Sequence, residues 1–252
     1  MSFEVPAQAY QRFMGRYSES LAVQFVELLD LADGQRGIDI GAGPGALTEP
    51  LAERLGVDGV AAIDPSRSFV AALHERIPGI DAREGSAEVI PFDANTFDLA
   101  TAQLVVQFMT DPVAGLTEMA RVVKPGGIVA ASVWDFAGRR SPLSLFWGAA
   151  RSLNPRVRDE SRVPGSRPGH LAELLSAAGL AAVRTGELTV SVAYDDVDEW
   201  WSAFTPGVGP AGKYLECLDA RGRAALREEC ATRLPAGPVT IEATAWTALG
   251  TV

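Results

Sequence analysis

Cysteine is nearly absent from this 252-residue chain: Cys217 and Cys230 are the only two. That is too few for a disulfide scaffold, and no metal-ligand spacing surrounds either, so the sequence predicts reduced thiols, no metal site and a cytoplasmic setting. Histidine is as scarce, with His74 and His170 alone, which limits the imidazole candidates for a general base to two. Long apolar runs are missing too. No stretch of about 18 uncharged apolar residues occurs, and the opening MSFEVPAQAY has no basic region followed by an apolar run. The expectation is a chain that neither spans a membrane nor carries a secretory leader. Basic residues are outnumbered, with 22 Lys and Arg against 32 Asp and Glu for a net charge of −10. A duplex-binding surface needs a clustered basic face, so nucleic acid is not an expected partner. Repeats and low-complexity tracts are also lacking, and the sequence carries no signal of oligomeric state.

What the chain does have is apolar material: 47% hydrophobic residues over this length suit one α/β domain with insertions. Its densest signal is GIDIGAGPGALT, Gly37 to Thr48. Ile38 and Ile40 suit a buried strand, Gly41, Gly43 and Gly45 allow positive φ and close approach of a ligand, and Ala46, Leu47, Leu51 and Leu55 recur at helical spacing. Such a strand, glycine turn and helix start bind a nucleotide-like ligand at the strand's C-terminal end. A second strand, Val60 to Ile63, ends in Asp64-Pro65-Ser66 before a helix bearing Phe69, Leu73 and Ile77. Asp64 falls 23 residues after Gly41, near the spacing of about 20 at which an acidic residue accepts the ribose hydroxyls of a nucleoside. Its other reading is a helix N-cap ahead of a proline.

The alternation continues. Strands are predicted near Ile80 to Glu84, Phe97 to Ala102 and Ile128 to Val133, with GSAEVIPF and QLVVQF as loops at strand C-termini. Lys124-Pro125-Gly126-Gly127 reads as a helix stop. A helix at His170 to Ala178, a strand near Ala182 to Val192 and a last alternating strand from Val239 to Leu249 complete the pattern. Before the glycine turn two helical segments are predicted, the second capped by Ser18; the YQRFMGRYS stretch is either a packed helix end or a flap over the ligand. The sequence thus divides into a flap at 1–32, a core at about 33–134, 169–194 and 238–250, and cap insertions at about 135–168 and 195–237, all within one domain.

DIGAGPG, AIDPS, GSAEVIPFDANTFDLA and EMARVVKPGGIVAAS, in that order, resemble the class I S-adenosylmethionine (SAM)-dependent methyltransferases. Within them the chain is most similar to the small-molecule branch typified by the ubiquinone and menaquinone biosynthesis enzymes. The resemblance covers roughly residues 7–134. It implies a Rossmann-like α/β fold, a seven-stranded, mostly parallel sheet with an antiparallel last strand and helices on both faces. It also implies SAM as cofactor, with Gly41, Ala42, Gly43 and Gly45 against the methionine and ribose part, and Asp39 holding the turn and facing the ligand amino group. Asp64 would take the ribose hydroxyls, Pro65 and Ser66 would lie beside the adenine, and Ser86 and Ala87 would read the adenine edge. Many members carry Asp where this chain has Ser86. The backbone at Gln103 and Leu104 would meet the methionine amino group, and Arg16 the ligand carboxylate.

Methyl transfer from a sulfonium needs a nucleophile held close and in line; a base matters only where the acceptor must lose a proton. His74 reads as a surface residue. His170 is a candidate base or an ordinary helix start. Trp134, Phe136, Phe146, Trp147, Trp200, Trp201 and Phe204 either line an apolar acceptor pocket or pack a core. Seven arginines between Arg139 and Arg167, against Asp159 and Glu160, hint at an anionic acceptor or form a solvated loop. The expected reaction is direct in-line methylation of a small-molecule acceptor, aromatic or anionic. Two rivals stand beside it: an NAD(P)-dependent oxidoreductase, since GAGPGA also satisfies the dinucleotide pattern, and a non-catalytic SAM-binding module. The loop TAQLVVQF lacks the Asn/Asp-Pro-Pro-aromatic element of nucleic-acid methyltransferases.

Overall fold

A computed structural model of the chain describes residues 7–252; the first six residues of the expected flap at 1–32 lie outside the described residues. The chain opens with α1 (Ala7–Tyr10), a π-helical turn (Gln11–Gly15) and α2 (Arg16–Leu28). These run on without a break, because Tyr10, Gly15 and Arg16 all keep right-handed helical φ and ψ. Ser18 therefore does not cap a second helix: it sits inside α2 and its hydroxyl donates back to the Gly15 carbonyl. The buried stripe of α2, with Leu21, Ala22 and Phe25, lies on the sheet as the periodicity predicts.

Beyond it come β1 (Gly37–Ile40), α3 (Thr48–Leu55), β2 (Val60–Asp64), α4 (Arg67–Arg76), β3 (Asp81–Glu84), β4 (Phe97–Gln103), α5 (Pro112–Val122) and β5 (Val123–Trp134). The start of α5 shows why it begins there: the Asp111 carboxylate accepts from Val113 N and Ala114 N, and Pro112 takes the first turn, where no N–H is needed. The Lys124–Gly127 stretch stops the helix but also belongs to the strand. Pairing of β4 with β5 shifts register between Phe97 and Leu99, so that Val123 and Ile128 oppose them across a bulge. The remaining elements are α6 (Ser144–Leu153), α7 (His170–Ala177), β6 (Ala181–Tyr194), α8 (Val197–Ser202), α9 (Gly209–Cys217), α10 (Ala220–Ala231) and β7 (Val239–Thr251).

The seven strands form one sheet in the order β3-β2-β1-β4-β5-β7-β6. Strands β1 to β5 are parallel, and β7 runs antiparallel to both β5 and β6. After β3 the chain returns to the other side of β1 to form β4. This reversal of winding opens a crevice at the C-terminal ends of β1 and β4, the place where open α/β sheets bind ligands.

The two insertions pack on one another. Phe146 of α6 stacks on Phe204 after α8, with centroids 4.7 Å apart, and meets Trp147 edge-on at 5.2 Å; Trp200 closes on Phe204 at 4.8 Å. Trp134, Phe136, Phe146, Trp147, Trp200 and Phe204 are all buried in the same apolar cluster as the sheet. Core packing is therefore their role, not an open acceptor pocket. No helix among the described residues is long and apolar enough to cross a membrane. Phe146→Ala should cost about 3–5 kcal/mol in denaturant-induced unfolding, because its fully buried ring joins both insertions. A loss below about 1 kcal/mol would show the insertions to be loosely attached.

Candidate functional site

The glycine turn is clamped to the neighbouring strand. Gly41 N and Ala42 N both donate to the Ile63 carbonyl, at 2.8 and 3.0 Å, and Gly43 N donates to Asp64 Oδ2 at 2.9 Å. Asp64 Oδ1 accepts from Ser66 N at 2.8 Å. Asp64 thus bridges the turn and the entry to α4, whose N-cap position is held by Ser66, two residues further on, without a side-chain cap bond. Gly41 and Gly43 adopt φ of +68° and +55°, the left-handed region where a side chain is strained. A Cβ on Gly41 would lie 2.6 Å from Val105, whereas a Cβ on Gly43 would meet nothing within 4 Å. The space above Gly43 is the cleft itself.

That cleft, of about 250 Å³, is lined by Gly41, Gly43 and Asp64 on one side and by Pro65 and Phe69 of the β2–α4 segment. Ser86, Ala87 and Glu88 follow β3, and Gln103 to Val105 and Phe108 to Thr110 follow β4. Tyr10 reaches in from α1, its ring 5.5 Å from that of Phe69. An adjoining recess shares Tyr10, Gly41, Gly43, Gln103 and Leu104 and adds Ser18, Asp39 and Ala42. Leu104 is a leucine at φ +62°, a strained backbone that persists only where its surroundings hold it. Here the holding contacts are Leu104 N to the Ser132 carbonyl at 2.9 Å and Gln107 Nε2 to the Leu104 carbonyl at 2.8 Å. Gln103 Nε2 donates to the Ser18 carbonyl at 3.0 Å, which leaves the buried Oε1 without a donor among the described residues. A ligand that brings a hydrogen-bond donor would satisfy it.

Three carboxylates, Asp39, Asp64 and Glu88, and no Lys or Arg stand among the described residues of the cleft and its recess. Asp39 is buried, with Oδ2 accepting from Thr48 Oγ1 at 2.7 Å. Burial lifts its pKa to about 7, against the pull of that hydroxyl, and Asp64 adds to the rise. Burial also raises the Asp64 pKa, while the Ser66 and Gly43 amides oppose the shift. Tyr10 is pushed up to about 12 by burial and by Asp64. The site suits a cation and disfavours a diphosphate.

Of the residues expected from the sequence, the structure brings Asp39, Gly41, Ala42, Gly43, Asp64, Pro65, Ser86, Ala87, Gln103 and Leu104 to the cleft or its recess. Four others are engaged elsewhere. Gly45 faces α4, where a Cβ would lie 2.5 Å from Leu73 Cδ1, so it serves packing between α3 and α4. The Ser66 hydroxyl lies 2.9 Å from that of Ser68 at the start of α4. Arg16 is held by the end of β6 and by α8: Nη1 donates to Glu199 at 2.8 Å, Nη2 to the Ala193 carbonyl, and the guanidinium lies 4.6 Å over the Tyr194 ring. His170 starts α7, where Nδ1 accepts from Gly165 N at 3.2 Å, and is no part of the cleft. Three of the seven insertion arginines are held by carboxylates. Arg140 pairs with Asp135 and Glu187, Arg151 with Asp159, and Arg167 with Glu173, and none of the seven lines the cleft. Sequence reasoning placed Glu88 and Phe108 in loops at strand C-termini without naming them as site residues, and missed Phe69 and Met109 as lining residues.

A seven-stranded sheet in this order, with a glycine turn clamped to an acidic strand end at the switch point, defines a nucleoside-binding α/β protein of the class I methyltransferase type. Residues 38–131 match the family described as Methyltransferase domain. The chain is 38% identical over 178 residues to a ubiquinone biosynthesis O-methyltransferase of Cereibacter sphaeroides, covering 66% of this chain and 69% of that protein. It is also 38% identical over 102 residues to a demethylmenaquinone methyltransferase of Renibacterium salmoninarum, covering 40% and 42%. Across several of the curated relatives it matches, the chain spans about half their length. In three dimensions it is similar to the YcgJ protein of Bacillus subtilis, with a TM-score of 0.60, 20% identity, and 94% and 98% of the two chains covered. The chain belongs to the SAM-dependent methyltransferases.

The Asp39 titration gives a test. With its pKa raised from 3.8 to about 7 in the folded protein, the stability tied to this group is present below the unfolded pKa and is lost as pH rises through the folded one. Asp39→Asn keeps an acceptor for Thr48 and removes the buried charge. Its Tm relative to the parent chain should therefore be higher at pH 8 than at pH 5, read by thermal unfolding without ligand. A difference that does not change with pH would contradict the assignment.

Proposed function

We propose that the protein transfers a methyl group from SAM to a small aromatic acceptor by direct in-line displacement, in the cytoplasm. The observation that carries this reading is the charge of the cleft: three carboxylates and no basic side chain among the described lining residues. A nicotinamide dinucleotide carries a diphosphate that this arrangement repels, whereas a donor with a sulfonium and an ammonium is attracted.

The residues present fit such a donor. Asp64 retains lone pairs for ribose hydroxyls beyond those used by Gly43 N and Ser66 N. Gly43 leaves open space that a Cβ would fill. The buried, unsatisfied Gln103 Oε1 and the Asp39 carboxylate offer acceptors for an ammonium group. When bound, the donor supplies a methyl on a positively charged sulfur, a charge that disappears as the methyl leaves. Val105, Phe108 and Met109 give the wall after β4 an apolar surface that holds a planar acceptor and keeps water out. No histidine lines the cleft among the described residues, which fits a reaction driven by alignment rather than by a dedicated imidazole base. Two relatives named for quinone biosynthesis support a phenol or quinol as the acceptor class. The free Cys217 and Cys230 suit a reducing compartment.

Incubation of the protein with labelled SAM and a panel of phenols, quinols and carboxylates should label a phenol or quinol first. Silence across the panel with donor bound would favour a binding module over an enzyme. Two variants test the donor site by calorimetry with S-adenosylhomocysteine. Asp64→Ala should weaken binding by about 1–3 kcal/mol. Gly43→Val should abolish binding while costing little in Tm beyond backbone strain of about 1–2 kcal/mol, since its side chain enters the cleft and not the core. Retained binding in Gly43→Val would move the donor elsewhere.

A further inference from the structure

Gln107 carries a buried amide oxygen for which the fold has no use. It lies in the short turn Val106–Phe108 after β4 and is 8% exposed. Val105 and Phe108 of this segment line the cleft, as does Leu104. Gln107 Nε2 donates to the Leu104 carbonyl at 2.8 Å. Only the NH2 end of an amide can donate to a carbonyl, so this bond fixes which end is oxygen. Oε1 is left with no donor among the described residues. The surroundings repeat the pattern. Of the six buried side-chain atoms without a partner among the described residues, three belong to Gln103, Gln107 and Ser132, and these residues meet at Leu104. Gln103 precedes it, the Ser132 carbonyl accepts its N–H at 2.9 Å, and Gln107 holds its carbonyl. Leu104 itself stands at φ +62°, and strained backbone gathers at functional sites. A leucine or methionine at 107 would fill a similar volume without an orphaned oxygen, so the amide calls for a partner.

Resting on the reading of the cleft as a methylation site for a phenol or quinol, we propose that Gln107 orients the acceptor, its Oε1 accepting the hydrogen bond of the hydroxyl that is methylated. Gln103 Oε1 serves the donor's ammonium group. Gln107, four residues on, belongs to the Val105–Met109 wall that holds the acceptor. Its chemistry narrows the acceptor further. A carboxamide oxygen takes an O–H and repels a carboxylate, a phosphate or a phenolate, and no Lys or Arg among the described lining residues offsets that repulsion. The acceptor therefore binds as the neutral, protonated phenol. With its O–H directed at Gln107, the lone pairs of its oxygen stay free for the cleft. The Nε2 bond to Leu104 keeps the amide from turning, so the position of Oε1 is set before the acceptor arrives.

The test measures binding of hydroquinone and of 1,4-dimethoxybenzene, which share a ring and differ in the O–H groups, by ligand-observed NMR titration of the full chain saturated with S-adenosylhomocysteine. The ratio of the two affinities is compared across the parent chain, Gln107→Leu and Gln107→His. Leucine offers neither donor nor acceptor, and the ratio should shift against hydroquinone by about 5- to 30-fold, the range for a buried acceptor that loses its partner. Neutral histidine keeps one N–H for Leu104 and one acceptor nitrogen; at pH 8 it should restore the ratio to within about threefold of the parent. A variant that has only loosened Leu104 weakens both probes alike and keeps the ratio, and its affinity for S-adenosylhomocysteine reports that change separately. An unchanged ratio in Gln107→Leu, or no recovery in Gln107→His, overturns the role of Gln107. Failure of the parent chain to bind hydroquinone while it binds S-adenosylhomocysteine overturns the phenol or quinol reading instead, and this inference falls with it.

Discussion

Three backbone amides hold the site together. Gly41, Ala42 and Gly43 point their N–H groups at the Ile63 carbonyl and the Asp64 carboxylate, so the end of β1 and the end of β2 form one rigid ledge. Only residues free to take positive φ can present successive amides in this way, and the glycines at 41 and 43 do so. The sheet order then decides what faces the ledge. Because β4 returns to the other side of β1, the strained Leu104 and the half-satisfied Gln103 amide arrive opposite the turn.

Charge determines what such a ledge binds. Glycine turns of this kind serve diphosphates when the helix N-terminus and basic groups supply positive potential. Here the potential has the opposite sign. Asp39 remains buried although burial lifts its pKa to about 7, a cost that stability alone does not explain and that a cationic ligand would offset. Perturbed carboxylates gathered in a cleft mark a functional site. In the chain as a whole, the excess of acidic residues argued only against nucleic acid; at the level of the cleft it separates a sulfonium donor from a nicotinamide dinucleotide.

Most of the sheet was legible because β-branched strands, glycine turns and helical periodicity repeat in register with it, and the motif around Asp39 to Gly45 lies within one βα unit. Long-range pairings were not legible. Arg16 looked free for a ligand carboxylate, yet its partner Glu199 lies 183 residues away, and no local pattern announces that pair. The insertion aromatics and arginines allowed two readings each, and only packing selected the core for Phe146 and Phe204 and ion pairs for Arg140, Arg151 and Arg167. Glu88 was not singled out for the opposite reason: a glutamate in a turn has the same local signature whether it meets water or a ligand. The π-helical turn at Gln11–Gly15 made one continuous helix from what the sequence showed as two, because a π turn keeps the helix but breaks its 3.6-residue period.

The central claim is that an acidic cleft over a glycine ledge binds a sulfonium methyl donor. The most direct measurement is parallel calorimetric titration of the purified chain with SAM and with NAD at low ionic strength, where the field of the cleft is least screened. Saturable heat with SAM, weakened by added salt, and none with NAD is the predicted result. Tight binding of NAD with no response to SAM would contradict the account.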